Sequence, residues 1–182
     1  MSDEEYEKFM LAPVDGDELD PAIHYAKVIT MKEHEHLLHG RPQVAFLLRL
    51  DPKIMHQRME LGSVHMPKVQ GSLKDVFTWS LQRLLGYMPD YLMILDRDYW
   101  MASSPALREI LIFHEACHMV QKTNKDGDPS YNDDGLPVWG LLGHDLEEFD
   151  AVVRRYGAYR SDVASFLAAA QEGESNIRGR RK

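Results

Sequence analysis

Apolar residues along this chain fall into short blocks separated by Pro, Gly and Asp, and the spacing within each block names an element. Pro21 opens a helical pattern through Ile23, Ala26, Val28 and Ile29 that runs to about His39 and stops at Gly40-Arg41-Pro42. Val44-Ala45-Phe46-Leu47-Leu48-Arg49-Leu50 has the length and content of a strand and ends at Asp51-Pro52. A second extended segment is predicted over residues 63–70, with Val64, Met66, Lys68 and Gln70 on one face. Residues 74–85 read as a helix or crossing closed by Gly86, and 91–95 as a buried strand after Pro89-Asp90. Ser104-Pro105 then starts a helix, Ser as N-cap and Pro at the first helical position. Leu107, Ile110, Leu111, Ile112, Phe113, Ala116, Met119 and Val120 make that helix apolar on nearly every side, so it should run through the core.

Downstream the pattern changes. From Gln121 to Gly143 the chain is rich in Asn, Asp, Gly and Pro, which reads as a long loop with few apolar anchors. Such a loop is expected to be mobile and to border a functional cleft. Asp126, Asp128, Asp133 and Asp134 lack the order of a calcium-binding loop and read as solvated turn residues. Residues 144–156 and 161–171 form two closing helices, ended by Gly157 and Gly173, and no internal repeat is evident.

Composition narrows this to one domain over residues 21–172, between an acidic, flexible lead-in at 1–20 and a short, flexible basic tail at 173–182. With 44% hydrophobic residues the chain can bury a sizeable core. No apolar run approaches the roughly 18 to 20 residues of a membrane span, and the acidic start is unlike a secretory signal. The single cysteine, Cys117, excludes an intramolecular disulfide framework, so a cytoplasmic protein is expected. A formal charge of −8 argues against a nucleic-acid-coating surface.

Inside the buried-helix pattern stands His114-Glu115-Ala116-Cys117-His118. On a helix of about 3.6 residues per turn, positions i and i+4 lie on one face, so two imidazoles converge on a point that can hold Zn²⁺. Glu115, one residue round, can reach a metal-bound water as general base without ligating the metal. Cys117 points in a different helical direction and reads as a small buried hydrophobe. His34, His36 and His39, interleaved with Glu33 and Glu35, do not align on a helix and read as a solvated polar face. A catalytic zinc site needs a third protein ligand, and His144, Glu147 and Glu148 can each turn the same way on a helix. Geometry alone does not choose among them.

Together with Gly143-His144-Asp145-Leu146-Glu147-Glu148-Phe149 and Val152-Val153-Arg154-Arg155-Tyr156-Gly157, this motif resembles the phage metallopeptidase family over about residues 26–166. The His144 segment is also similar to the His-Gly-x-Glu-Phe stretch of SprT-like zinc proteases, where the histidine is the third ligand. The resemblance implies an α+β, zincin-like fold: a small mixed or antiparallel sheet packed on a buried motif helix, with two further C-terminal helices. It selects His144 as ligand and leaves Glu147 and Glu148 as acceptors for an imidazole N–H. Asp145 stands where those proteases have Gly and the spacer is longer, so Glu148, as in the gluzincin arrangement, stays open as the ligand.

The motif and the resemblance together imply a zinc metallopeptidase in the cytoplasm of a phage or prophage host, acting on a protein or peptide. The residue that stabilises the oxyanion would come from His65, Tyr131, Arg154 or Tyr156. The strand at 91–95 could offer its edge to an extended substrate. Two other classes compete: a non-catalytic binding module stabilised by zinc, and a SprT-like protease of DNA-associated proteins. A complete Glu115 weighs against the first, the acidic balance against the second.

Overall fold

The computed structural model describes residues 7–13, 17–55, 57–145 and 150–180, and these divide after Leu142 into two compact units. In chain order the first unit holds β1 (Phe9–Leu11), α1 (Pro21–Val28), α2 (Glu35–Gly40), β2 (Val44–Arg49), β3 (Ile54–Met55), β4 (Arg58–Met59) and β5 (Gly62–His65). It continues with α3 (Lys74–Leu85), β6 (Tyr91–Asp96), α4 (Arg97–Ala102), α5 (Pro105–Cys117), β7 (Met119–Gln121) and β8 (Trp139–Leu141). The second unit holds α6 (Asp150–Tyr156) and α7 (Ser161–Arg180).

The two apolar runs form the centre of a four-stranded mixed sheet in the order β1-β2-β6-β5. β2 and β6 are parallel, with Val44 opposite Tyr91 and Arg49 opposite Asp96, while β1 and β5 flank them antiparallel. Parallel neighbours buried on both faces need near-continuous apolar sequence, which is what both runs carry. The strand expected to present an edge, at 91–95, is therefore interior. The edge beside it is β5, four residues long where eight were expected, because Pro67 follows Met66 and cannot donate to a ladder.

Leu48, Tyr91, Met93 and Leu95 of the sheet join Val28, Leu37, Trp100, Ile112, Ala116 and Met119 in one buried cluster. Two buried polar side chains in and beside it are tied to backbone. Trp100 Nε1 donates to Leu19 O at 2.8 Å, and Arg108 donates to the carbonyls of Trp100, Glu18 and Met101 at 2.9, 3.1 and 3.3 Å. The result is an α+β unit in which α5 packs against β5 of this sheet, against β7 and against α1. The helix expected from 21 to 39 is broken at Thr30-Met31 by a 3-10 turn, Lys32–His34, before α2. In the second unit α7 continues through Gly173 to Arg180, beyond the expected stop. Among the described residues no helix is long and apolar enough to cross a membrane.

Candidate metal centre

Ser104 caps α5 as the sequence predicts, its Oγ accepting from Leu107 N at 3.4 Å. The helix is not buried all round: it hides Arg108, Leu111, Ile112, Glu115 and Ala116 and exposes Leu107 and Ile110. Nor does it continue to Val120. It ends at Cys117, with His118 as C-cap, because the chain turns there into β7. The motif thus sits on the last turn of the helix, at a surface. His114 is exposed, His118 half-buried, and Cys117 is exposed where a buried hydrophobe was expected.

His118 is fixed from the far side of a hairpin. Leu142 N donates to His118 O at 2.9 Å, and His118 Nδ1 lies 2.7 Å from Leu142 O. A carbonyl can only accept, so Nδ1 carries the ring proton and Nε2 is the nitrogen that bears the lone pair. Two residues after Leu142 comes His144. One ring nitrogen from each of His114, His118 and His144 lies within 4.8 Å of the others. The rings of His114 and His118 stand edge to face, with centroids 5.2 Å apart. Zinc–nitrogen bonds of about 2.1 Å put the donors of one tetrahedral ion roughly 3.4 Å apart, inside the 4.8 Å within which the three nitrogens lie. Three neutral imidazoles suit zinc as a donor set and leave a fourth position for water or substrate. Glu147 and Glu148, the alternative ligands, lie outside the described residues.

Glu115 faces inward, with 3% of its surface exposed, and its Oε2 has no hydrogen-bond partner among the described residues. Burial, and secondarily the charge of Glu60, push its pKa up to about 7. A carboxyl in that state is poised both to take and to give a proton near neutrality. Glu60 itself is held by Arg49 Nη1 and Lys53 Nζ, each at 2.8 Å. Burial raises the Glu60 pKa, but the hydrogen bonds from Lys53 and Arg49 outweigh it and the net shift is downward.

The other histidine cluster read from the sequence behaves differently from expectation. His34 is 1% exposed, packs edge to face on Phe113 at 4.5 Å, and neither ring nitrogen has a partner among the described residues. Burial, then the neighbouring His36, hold its pKa below the usual histidine value. His36 Nε2 donates to Met119 O at 2.7 Å, pinning the start of β7 to α2. Only His39 keeps the solvated role expected of all three.

The long Asn-, Asp- and Gly-rich segment is closed by its own hydrogen bonds and carries an internal repeat where none was expected. Asn-x-Asp-Gly-x-Pro occurs at 124–129 and again at 132–137. In each copy the Asn side chain accepts two backbone N–H groups: Asn124 Oδ1 from Asp126 and Asp128 at 2.9 Å, and Asn132 Oδ1 from Asp134 and Leu136 at 3.0 and 2.8 Å. Gly127 and Gly135, at φ 88° and 74°, supply the left-handed residue each turn requires. The two lobes meet in a ring of three backbone bonds, Ser130 N to Lys122 O, Val138 N to Ser130 O and Lys122 N to Val138 O, at 2.7, 2.9 and 2.8 Å. Below the ring, β7 and β8 pair as a stem.

His65, Tyr131, Arg154 and Tyr156, the oxyanion candidates, are all exposed and lie on β5, the ring segment and α6. A residue that the sequence did not flag is Gly62, whose backbone runs against the Glu115 side chain. A glycine inside a strand, where it weakens pairing, was the available signal.

A family model described as "Putative phage metallopeptidase" matches residues 18–171. No curated protein and no solved structure matches the chain.

Proposed function

The chain belongs to the phage metallopeptidase family, and from that premise we propose that it is a zinc peptidase in which His114, His118 and His144 hold the metal and Glu115 is the general base. Bound zinc would polarise a peptide carbonyl and acidify a water. Glu115 accepts the proton of the attacking water and returns it to the leaving nitrogen. Leu142 O keeps His118 in the ligating tautomer. β5 is a sheet edge among the described residues, so its outer backbone groups can pair with an extended peptide, which would then run past Glu115. The substrate on this reading is a protein or peptide in the cytoplasm of a phage host.

The observation that carries the proposal is the convergence of three imidazole nitrogens within 4.8 Å next to a buried carboxyl with one oxygen unpartnered among the described residues. A purely structural zinc site would be expected to close with four protein donors, and only three converge among the described residues. The formal charge of −8 disfavours action on DNA-bound proteins.

Native mass spectrometry should find one zinc per chain, and the zinc-loaded protein should digest fluorescent casein. Glu115→Gln should keep the zinc and slow digestion about 10³-fold, since the amide cannot accept the proton. His144→Ala should lose most of the metal. Unchanged digestion by Glu115→Gln removes the carboxyl from the mechanism. If Glu148→Ala empties the site while His144→Ala leaves it filled, the gluzincin arrangement replaces this one.

A further inference from the structure

Gly62 opens β5, with its backbone paired to Leu95 of β6. A Cβ placed there would lie 2.5 Å from Glu115 Oε1, 2.9 Å from Cδ and 3.1 Å from Cγ. Carbon atoms do not approach that closely, and because the contact extends from the carboxyl back to Cγ, swinging the tip of the side chain would not relieve it. The φ of Gly62 lies outside the left-handed region, so the position needs space and not glycine's backbone freedom. Glycine inside a strand forfeits side-chain packing, which makes an unexplained one notable. Gly40 offers a contrast: there a Cβ would meet the indole of Trp139, an apolar packing contact with no chemistry in it.

From this geometry we infer that Gly62 is a positioning residue for Glu115: the side chain missing from β5 is the space in which the general base is held. The strand confines the carboxyl on one side and α5 presents it from the other, so its direction is set by packing while Oε2 has no partner among the described residues. The catalytic half of this inference rests on the peptidase reading. The steric half does not.

The two halves are tested separately. Gly62→Ala is made in the wild-type chain and in Glu115→Ala, and thermal melting of the four metal-free proteins is compared. Overpacking should lower Tm by about 5 °C in the wild-type background and by no more than about 1 °C where the Glu115 side chain is already absent. Equal losses in both backgrounds overturn the inference, since the Cβ would then be meeting something else. Should Gly62→Ala alone fail to fold, recovery of folding in the double variant supports it and failure there sinks it. With zinc bound, Gly62→Ala should retain one metal per chain and lower kcat on casein about 10²-fold with KM within about twofold, the signature of a displaced reacting group. Full kcat in this variant also overturns the inference. If wild-type protein does not digest casein, the peptidase reading fails while the melting comparison still decides the geometry.

Discussion

Glu60 shows how much a single side chain away from the histidines controls. It neutralises Arg49, a buried cation on β2, and binds Lys53 with its other oxygen. Its folded pKa is depressed, so its contribution to stability is present above the unfolded value of about 4.3 and is lost as pH falls through the folded value. Urea unfolding at a series of pH values should therefore find Glu60→Gln less stable than wild type by about 3 kcal/mol at pH 7, because Arg49 is left uncompensated. The gap should narrow below about pH 4. A gap independent of pH would mean that the carboxylate charge contributes nothing. At this same scale the sequence disclosed what covalent spacing can disclose. His114, Glu115 and His118 are read directly because one helical turn relates them. Gly62, Glu60 and the Leu142 carbonyl act on them through space from distant segments, and apart from the strand glycine no local pattern marks such contacts.

Elements built from continuous apolar runs were legible: β2, β6 and the start of α5 lie where their hydrophobic spacing puts them. The end of α5 was not, since Met119 and Val120 fit a helical stripe equally well, and what draws them into β7 is pairing with a strand twenty residues on. The 121–143 segment is more regularly bonded than its composition suggested, for the opposite reason. Its Asn, Asp and Gly content signals turns, but the turns are satisfied internally, each Asn taking the place of a missing backbone partner. Asn132→Ala removes two hydrogen bonds and should cost about 1–2 kcal/mol. Limited proteolysis between residues 130 and 138 should accelerate in this variant. Stripping zinc from the wild-type protein should leave that segment's cleavage unchanged, because the ring bonds involve no histidine. Cleavage that tracks the metal instead would show that the lobes depend on the site.

Across the whole molecule, burial is divided unevenly between the two units. The core cluster lies in the first. In α7 Val163 is buried, but every residue from Ala164 to Arg178 is exposed. A helix of that kind derives little from packing and must rely on its own propensity, which Gly173 lowers by about 1 kcal/mol. Hydrogen exchange should find α7 amides unprotected beyond Val163, while β6 and the buried face of α5 exchange at least about 10³-fold more slowly. Comparable protection in both would show that something covers α7. The ring above the β7–β8 stem bears on kinship as well as architecture. Lys122, Ser130 and Val138 recur every eight residues, so a lobe can be gained or lost whole while the stem still closes Leu142 onto His118. A relative with one lobe more or fewer would then show a different interval between the second and third histidines, one that a search keyed to a fixed count would pass over.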